Sequence, residues 1–137
     1  FLSMPYINVY EIATFYTMYN LAPVGKYFVQ ICTTTPCLLR GANEIVKVCQ
    51  NKISKDERTL SDNGTCSWIE TECLGACVNA PMIQVNNDYY EDLDKNSMEK
   101  IIDSFIQNKP LKPGSFRGRK SAAPEKVENK INRANND

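Results

Sequence analysis

The sequence contains no histidine. That absence removes the commonest general base. It also excludes a Rieske centre, which needs two imidazoles, and every mixed Cys/His zinc site. No apolar run approaches the roughly 18 residues that a membrane span requires, so no direct span is expected. Net charge is lacking too: 16 Lys+Arg balance 16 Asp+Glu, which leaves no global field to hold a nucleic acid. A glycine-rich phosphate loop and a Gly-x-Ser-x-Gly nucleophile are both absent, and no independent catalytic site is expected on this chain.

What the chain does have is cysteine. Of the six, four form two close pairs, Cys32-x4-Cys37 and Cys73-x3-Cys77, with 35 residues between the pairs. Thiolate is the soft ligand that favours zinc, copper(I) or iron-sulfur clusters, and two pairs can supply the four sulfurs of a tetrahedral zinc or a [2Fe-2S] rhomb. A third option, a disulfide scaffold, fits poorly, because disulfide-dense domains usually lack a proper core and 42% of these residues are hydrophobic. The spacing is not the C-x-x-C of a dithiol oxidoreductase. Spacings of x4 and x3 are also wider than the C-x2-C frequent in zinc knuckles. Spacing favours iron-sulfur and leaves zinc, held by four cysteines in a structural interaction module, standing beside it.

Length allows one modest core in 137 residues. The chain opens on Phe1 and soon enters a helical pattern, which predicts a segment before it. Asn8 with Glu11 suggests a capping box, and Val9, Ile12, Ala13, Tyr16 and Tyr19 recur at helical spacing, predicting a helix over 8–20 whose tyrosines form a half-buried packing face. Pro23 and Gly25 end it. Lys26 to Cys32 reads as a strand, with Cys32 at its C-terminal end where open α/β sheets place their chemistry. A tight loop then leads to Cys37, and a helix is expected over 38–53 with Cys49 in its apolar stripe. Asp62-Asn63-Gly64 marks a turn before a second strand over 65–71, where alternation accounts for Cys66. Cys66 becomes a ligand only if Cys73 is not.

The glycine within the loop at 72–81 permits backbone conformations that would turn N–H groups toward sulfur. A hairpin at Met82–Glu91 and a final helix capped by Asp94, bearing Met98, Ile101, Ile102, Phe105 and Ile106, complete an α+β layer domain of order β, α, β, β, α. From Asn108 onward there are eight Lys/Arg and three Asp/Glu, so this end is net +5 and the preceding body net −5. With Pro110, Pro113 and Pro124 and few large apolar residues, the end reads as a basic, extended tail, disordered by itself and ordered on a protein partner.

The strings VYEIATFYTMYN (9–20), VGKYFVQICTTTPC (24–37), ECLGACVNAPMIQV (72–85) and YYEDL (89–93) resemble the thioredoxin-like [2Fe-2S] small flavoprotein subunit of respiratory NADH:quinone oxidoreductase, complex I. The resemblance implies that Cys32, Cys37, Cys73 and Cys77 hold a [2Fe-2S] cluster. It also implies a thioredoxin-like domain over 23–108, preceded at 1–22 by the last helix of a truncated helical bundle and followed by the tail at 109–137. The implied partner is the FMN- and NADH-binding flavoprotein subunit in the peripheral arm, so that FMN and NADH sit on that partner, and the cluster exchanges single electrons with FMN. Such a chain is part of an NADH dehydrogenase, peripheral to the cytoplasmic face of a bacterial inner membrane or the matrix side of a mitochondrial one. Related subunits serve NAD-linked formate dehydrogenases and NAD-reducing hydrogenases.

Overall fold

The computed structural model describes residues 3–122. A helix, α1 (Tyr6–Phe15), precedes strand β1 (Tyr27–Cys32), a short helix α2 (Thr35–Leu39) and helix α3 (Ala42–Lys52). Then come β2 (Cys66–Thr71), a single 3-10 turn at Cys77–Asn79, β3 (Ile83–Val85), β4 (Asp88–Glu91), α4 (Lys95–Ile106) and β5 (Gly114–Ser115). The five strands form one sheet in the order β2-β1-β3-β4-β5.

Strand β1 carries the register. It runs parallel to β2, with Tyr27 opposite Cys66 and Cys32 opposite Thr71, and antiparallel to β3, with Ile31 opposite Ile83. Alternation then puts Tyr27, Val29 and Ile31 on one face with Trp68, Ile83, Val85 and Tyr90, and all are buried. Helices α3 and α4 close this face: Ile45, Val46, Val48 and Cys49 from one join Met98, Ile101, Ile102 and Phe105 from the other in a single apolar cluster. Cys32 is the next residue after Ile31, so it points to the opposite face and belongs to a second, smaller cluster with Cys37, Ala42, Ala76, Ala80 and Met82.

Entry into β1 depends on Gly25. Its N–H donates to Ser67 Oγ at 3.0 Å, and a Cβ there would lie 2.6 Å from the Thr65 carbonyl oxygen and 2.7 Å from the Cys66 carbonyl carbon. Those neighbours are backbone and cannot swing aside. Gly25→Ala is therefore expected to wedge the start of β1 away from β2 and to cost about 1–3 kcal/mol, the usual range for overpacking. Denaturant midpoints of the two proteins measure it.

Several expected elements shift. The first helix starts at Tyr6 behind Pro5, and the Asn8 N–H already bonds the Pro5 carbonyl at 3.1 Å, so Asn8 lies inside the first turn and makes no capping box with Glu11. It stops at Phe15, not near 20. No residue of α1 is buried, so packing does not prolong it, and Thr14 Oγ1 bonds back to the Tyr10 carbonyl at 2.8 Å. The tyrosine face is thus exposed among the described residues: Tyr10, Tyr16 and Tyr19 are each about half exposed. The helix expected over 38–53 is two helices, broken where Gly41 takes φ 103°. Cys37 consequently sits within α2 and not in a loop. Asp94 does cap α4, accepting from the Ser97 N–H at 2.7 Å while the Asp94 N–H donates to Ser97 Oγ at 2.8 Å.

The expected disordered tail is the largest departure. Residues 109–115 are extended and 116–118 form a turn, but the segment packs on the body: β5 pairs with β4, with Tyr90 opposite Gly114, and Tyr90 Oη donates to the Leu111 carbonyl at 3.0 Å. Charge explains the docking, since the acidic body buries Glu91 and Asp92 where the basic segment passes. The rest of that tail, 123–137, lies outside the described residues. Among the described residues no helix is long and apolar enough to cross a membrane.

Candidate metal centre

Because β1 and β2 are parallel neighbours, the loops that follow them emerge at one end of the sheet. Cys32 closes β1, Thr33 N–H bonds the Thr71 carbonyl at 3.2 Å, and Cys73 follows β2 by two residues. This is how residues far apart in sequence come together. Cys37 reaches the same end from α2, and Cys77 from the start of the 3-10 turn.

The sulfurs stand in two pairs. Cys73 Sγ and Cys77 Sγ are 3.4 Å apart, and Cys32 and Cys37 lie together in one buried cluster. Cys32 and Cys37 are buried, whereas Cys73 and Cys77 are exposed, so the site has an inner and an outer pair. The backbone at Thr34 and Leu74 favours the thiolate of Cys32, as that at Met82 favours the thiolate of Cys37, and the Gly75 N–H donates to Cys73 Sγ at 3.5 Å. Gly75 manages this with φ 81°, the conformational freedom that its place in the loop suggested. Thr34 Oγ1 lies 3.3 Å from Cys32 Sγ, and the same side chain also favours the thiolate of Cys73, so it acts on both pairs.

These contacts divide each pair into a thiolate-prone and a thiol-prone member. Burial opposes ionisation of Cys32, yet the Thr34 side chain and backbone, Leu74 and Cys37 hold its thiol below the ordinary value. Burial, then the bond to Cys32 and its charge, push Cys37 up to about 12. In the outer pair the Gly75 N–H, followed by Cys77 and Thr34, lowers Cys73, and that bond to Cys73 raises Cys77. Two adjacent thiolates repel, so each pair retains a proton until a cation replaces it.

Among the described residues no three potential ligands stand close enough to clasp one ion. The donor set is instead four soft sulfurs in two pairs, each sulfur near neutralising N–H groups or a protonated partner. That pattern fits a binuclear iron-sulfur group, which takes one pair per iron and is stabilised by hydrogen bonds to sulfur. Cys49 and Cys66 lie elsewhere, in the main apolar core. Burial, then the charge of Cys66, raises Cys49, and burial pushes Cys66 up to about 11, which keeps both as inert thiols.

Sequence reasoning did not single out Thr34, Leu74, Met82 or Tyr89, whose hydroxyl donates to the Leu74 carbonyl at 2.8 Å and steadies the loop between Cys73 and Cys77. Backbone donors carry no sequence signal. The threonine run at 33–35 offered one, but only the geometry separates Thr34 from its neighbours.

A mixed sheet whose parallel neighbours bring four thiols to one end is a thioredoxin-like architecture. The chain belongs to the thioredoxin-like [2Fe-2S] ferredoxin family, whose profile matches residues 1–106, and the cofactor of that family is a [2Fe-2S] cluster. Among curated proteins it is 51% identical over 107 residues to an NADH-quinone oxidoreductase subunit of Rickettsia typhi, covering 78% of this chain and 63% of that one. It is 60% identical over 105 residues to the Rickettsia bellii protein of the same name, covering 76% and 62%. A Rhizobium meliloti NADH-quinone oxidoreductase subunit is 49% identical over 126 residues, covering 90% of this chain and 46% of that protein. The chain thus spans less than two thirds of the length of these relatives. Among solved structures, the thioredoxin-like [2Fe-2S] ferredoxin from Aquifex aeolicus shares the fold, with TM-score 0.51 at 20% identity over 62% of this chain and 90% of that one. A chain of an NAD+-reducing [NiFe]-hydrogenase shares it too, with TM-score 0.65 at 17% identity over 79% of this chain and 18% of that one.

Proposed function

We propose that this chain is the electron-transfer subunit of an NADH-quinone oxidoreductase and that Cys32, Cys37, Cys73 and Cys77 hold its [2Fe-2S] cluster. The single observation that supports the ligand assignment best is the meeting of both cysteine pairs at one end of the sheet, with the outer sulfurs 3.4 Å apart. The particular complex follows from the relatives, 49% and 51% identical, that bear that name. The likeness to a hydrogenase chain, at 17% identity, speaks for the fold alone.

The chain's own residues have three tasks in this reading. The backbone at Thr34, Leu74 and Met82 favours negative charge on the buried sulfurs, and the Gly75 N–H favours it on the exposed Cys73. Burial of Cys32 and Cys37 seals the inner side, and Cys73 and Cys77 open the other to a partner. Leu39, two residues after Cys37, and Val78, next to Cys77, are 82% and 74% exposed, apolar surface of the kind that suits a protein partner. When bound, the cluster supplies a centre that accepts and returns one electron at a time. In this proposal the partner is the flavoprotein subunit that binds FMN and NADH, and the chain is peripheral, on the cytoplasmic face of a bacterial inner membrane or the matrix face of a mitochondrial one. The proposed layout assigns 1–22 to the end of a helical bundle, 23–108 to the thioredoxin-like domain and 109–137 to the basic tail that begins by packing on β4.

Metal and sulfide analysis of the full chain tests this. About two iron and two acid-labile sulfides per chain are expected, with a brown colour and a rhombic resonance after one-electron reduction. Colourless protein with one zinc per chain would overturn it in favour of a structural zinc module. Co-purification with a flavoprotein tests the partner.

A further inference from the structure

We infer that residues 114–122 form a strap that fixes the outer cysteine loop, with Arg119 as the positioning residue that sets how firmly Cys77 holds the cluster. Cys77 enters through its proposed ligand role, on which this inference rests, and the strap is a segment in which no site residue was expected.

Two buried carboxylates on consecutive residues anchor the strap. Asp92, at φ 58°, accepts from Ser115 Oγ at 2.5 Å and from Arg119 Nε at 3.1 Å, and Arg119 Nη2 meets its other oxygen. Glu91 accepts from Ser121 Oγ at 2.7 Å and from the Ala122 N–H at 3.0 Å. Backbone continuity adds to this, because the Phe116 N–H bonds the Glu91 carbonyl at 2.9 Å as the strap leaves β5.

The same groups reach the turn that begins at Cys77. Arg119 Nη2 donates to the Val78 carbonyl at 3.1 Å, so one guanidinium joins the buried Asp92 to the residue next to Cys77. Asn79 Nδ2 donates to Glu91 Oε2 at 2.5 Å and to the Lys120 carbonyl at 2.9 Å, and the Asp92 N–H donates to the Asn79 carbonyl at 2.7 Å. Ala122 then packs against the cluster of side chains around Cys32 and Cys37. Cys77 itself is exposed, and its turn is three residues long. A turn so short has little hold of its own; strap and β4 supply it. Arginine is suited to this because its rigid fork can serve a carboxylate and a carbonyl at once, which a lysine ammonium on a flexible stem does less well.

The test uses the full chain loaded with cluster, comparing wild type with Arg119→Ala and Arg119→Lys. Iron release to a chelator, the rhombic resonance and the thermal midpoint are recorded for each. The expected result is release about tenfold faster in Arg119→Ala, the lower end of the usual effect of outer-shell partners, with a changed resonance and partial recovery in Arg119→Lys. If Arg119→Ala does not fold, Arg119→Lys, which keeps a cation opposite Asp92, carries the test through the same release rate and resonance. Variants that release iron at the wild-type rate with an unaltered resonance would overturn the strap, even if their thermal midpoint falls. A wild-type chain that takes up no cluster would overturn the ligand assignment instead, and this inference with it.

Discussion

Replacing Cys37 or Cys73 by alanine is expected to abolish cluster assembly, reducing iron, sulfide and visible absorbance to background. Either substitution leaves three thiols where a [2Fe-2S] centre takes four, and no fifth cysteine stands by. Cys49 and Cys66 are buried in the other core, behind the sheet. The two variants probe different walls of the site. Cys37→Ala empties a buried position whose neighbours are apolar, so water enters poorly as a substitute ligand. Cys73→Ala removes the exposed thiol favoured by the Gly75 N–H and Thr34. Cys49→Ala and Cys66→Ala are the controls. Each costs about 1 kcal/mol of packing and is expected to leave the visible spectrum intact. A bleached Cys49→Ala or Cys66→Ala protein, or a brown Cys73→Ala protein with full iron, would contradict the ligand assignment.

The pairs were legible because thiol chemistry is written in side chains, and strong alternation made β1 and β2 legible as well. Tyr27, Val29 and Ile31 are buried on one face, and β1 ends at Cys32 as its pattern predicts. That β1 and β2 are neighbours was a condition and not a deduction: a parallel pairing across some 35 residues leaves no local mark, and only the register of Cys32 with Thr71 supplies it. Helix α4 was legible through Asp94 and its apolar stripe. The break at Gly41 was not, since a glycine between two apolar stripes also fits a continuous helix. Least legible was the strap. Its apolar content is small and its strand two residues long, and what fixes it is a pair of buried acids, Glu91 and Asp92, that in sequence look like ordinary surface charges.

Phe105→Ala is expected to lower stability by about 3–5 kcal/mol, the range for deleting a fully buried aromatic ring. Phe105 is 1% exposed and stands between two tyrosines. It stacks on Tyr27 of β1, with centroids 4.5 Å apart and planes 18° apart, and meets Tyr90 of β4 edge-on at 5.8 Å. One ring thus joins α4 to two strands that do not pair with each other. The truncation removes transfer energy, opens a cavity and loses two aromatic contacts of about 0.5–1.5 kcal/mol each. Against a typical domain stability of about 5–15 kcal/mol this is a large share, and at about 4–8 °C per kcal/mol it lowers the thermal midpoint by at least about 12 °C. Phe105→Leu retains most of the volume and is expected to lose no more than about 1.5 kcal/mol. Tyr90 gives the effect its direction: it carries a hydrogen bond to Leu111 and a ring contact with Phe116 at 6.4 Å, so loosening Tyr90 also loosens the approach to the strap. The cysteines of the two close pairs lie at the other cluster's end of the sheet, so below its lowered midpoint Phe105→Ala is expected to keep the wild-type visible spectrum. Thermal melts followed by circular dichroism and by visible absorbance on the same sample separate the two effects. A midpoint within about 3 °C of wild type would show that the stack does not contribute the stability assigned to it.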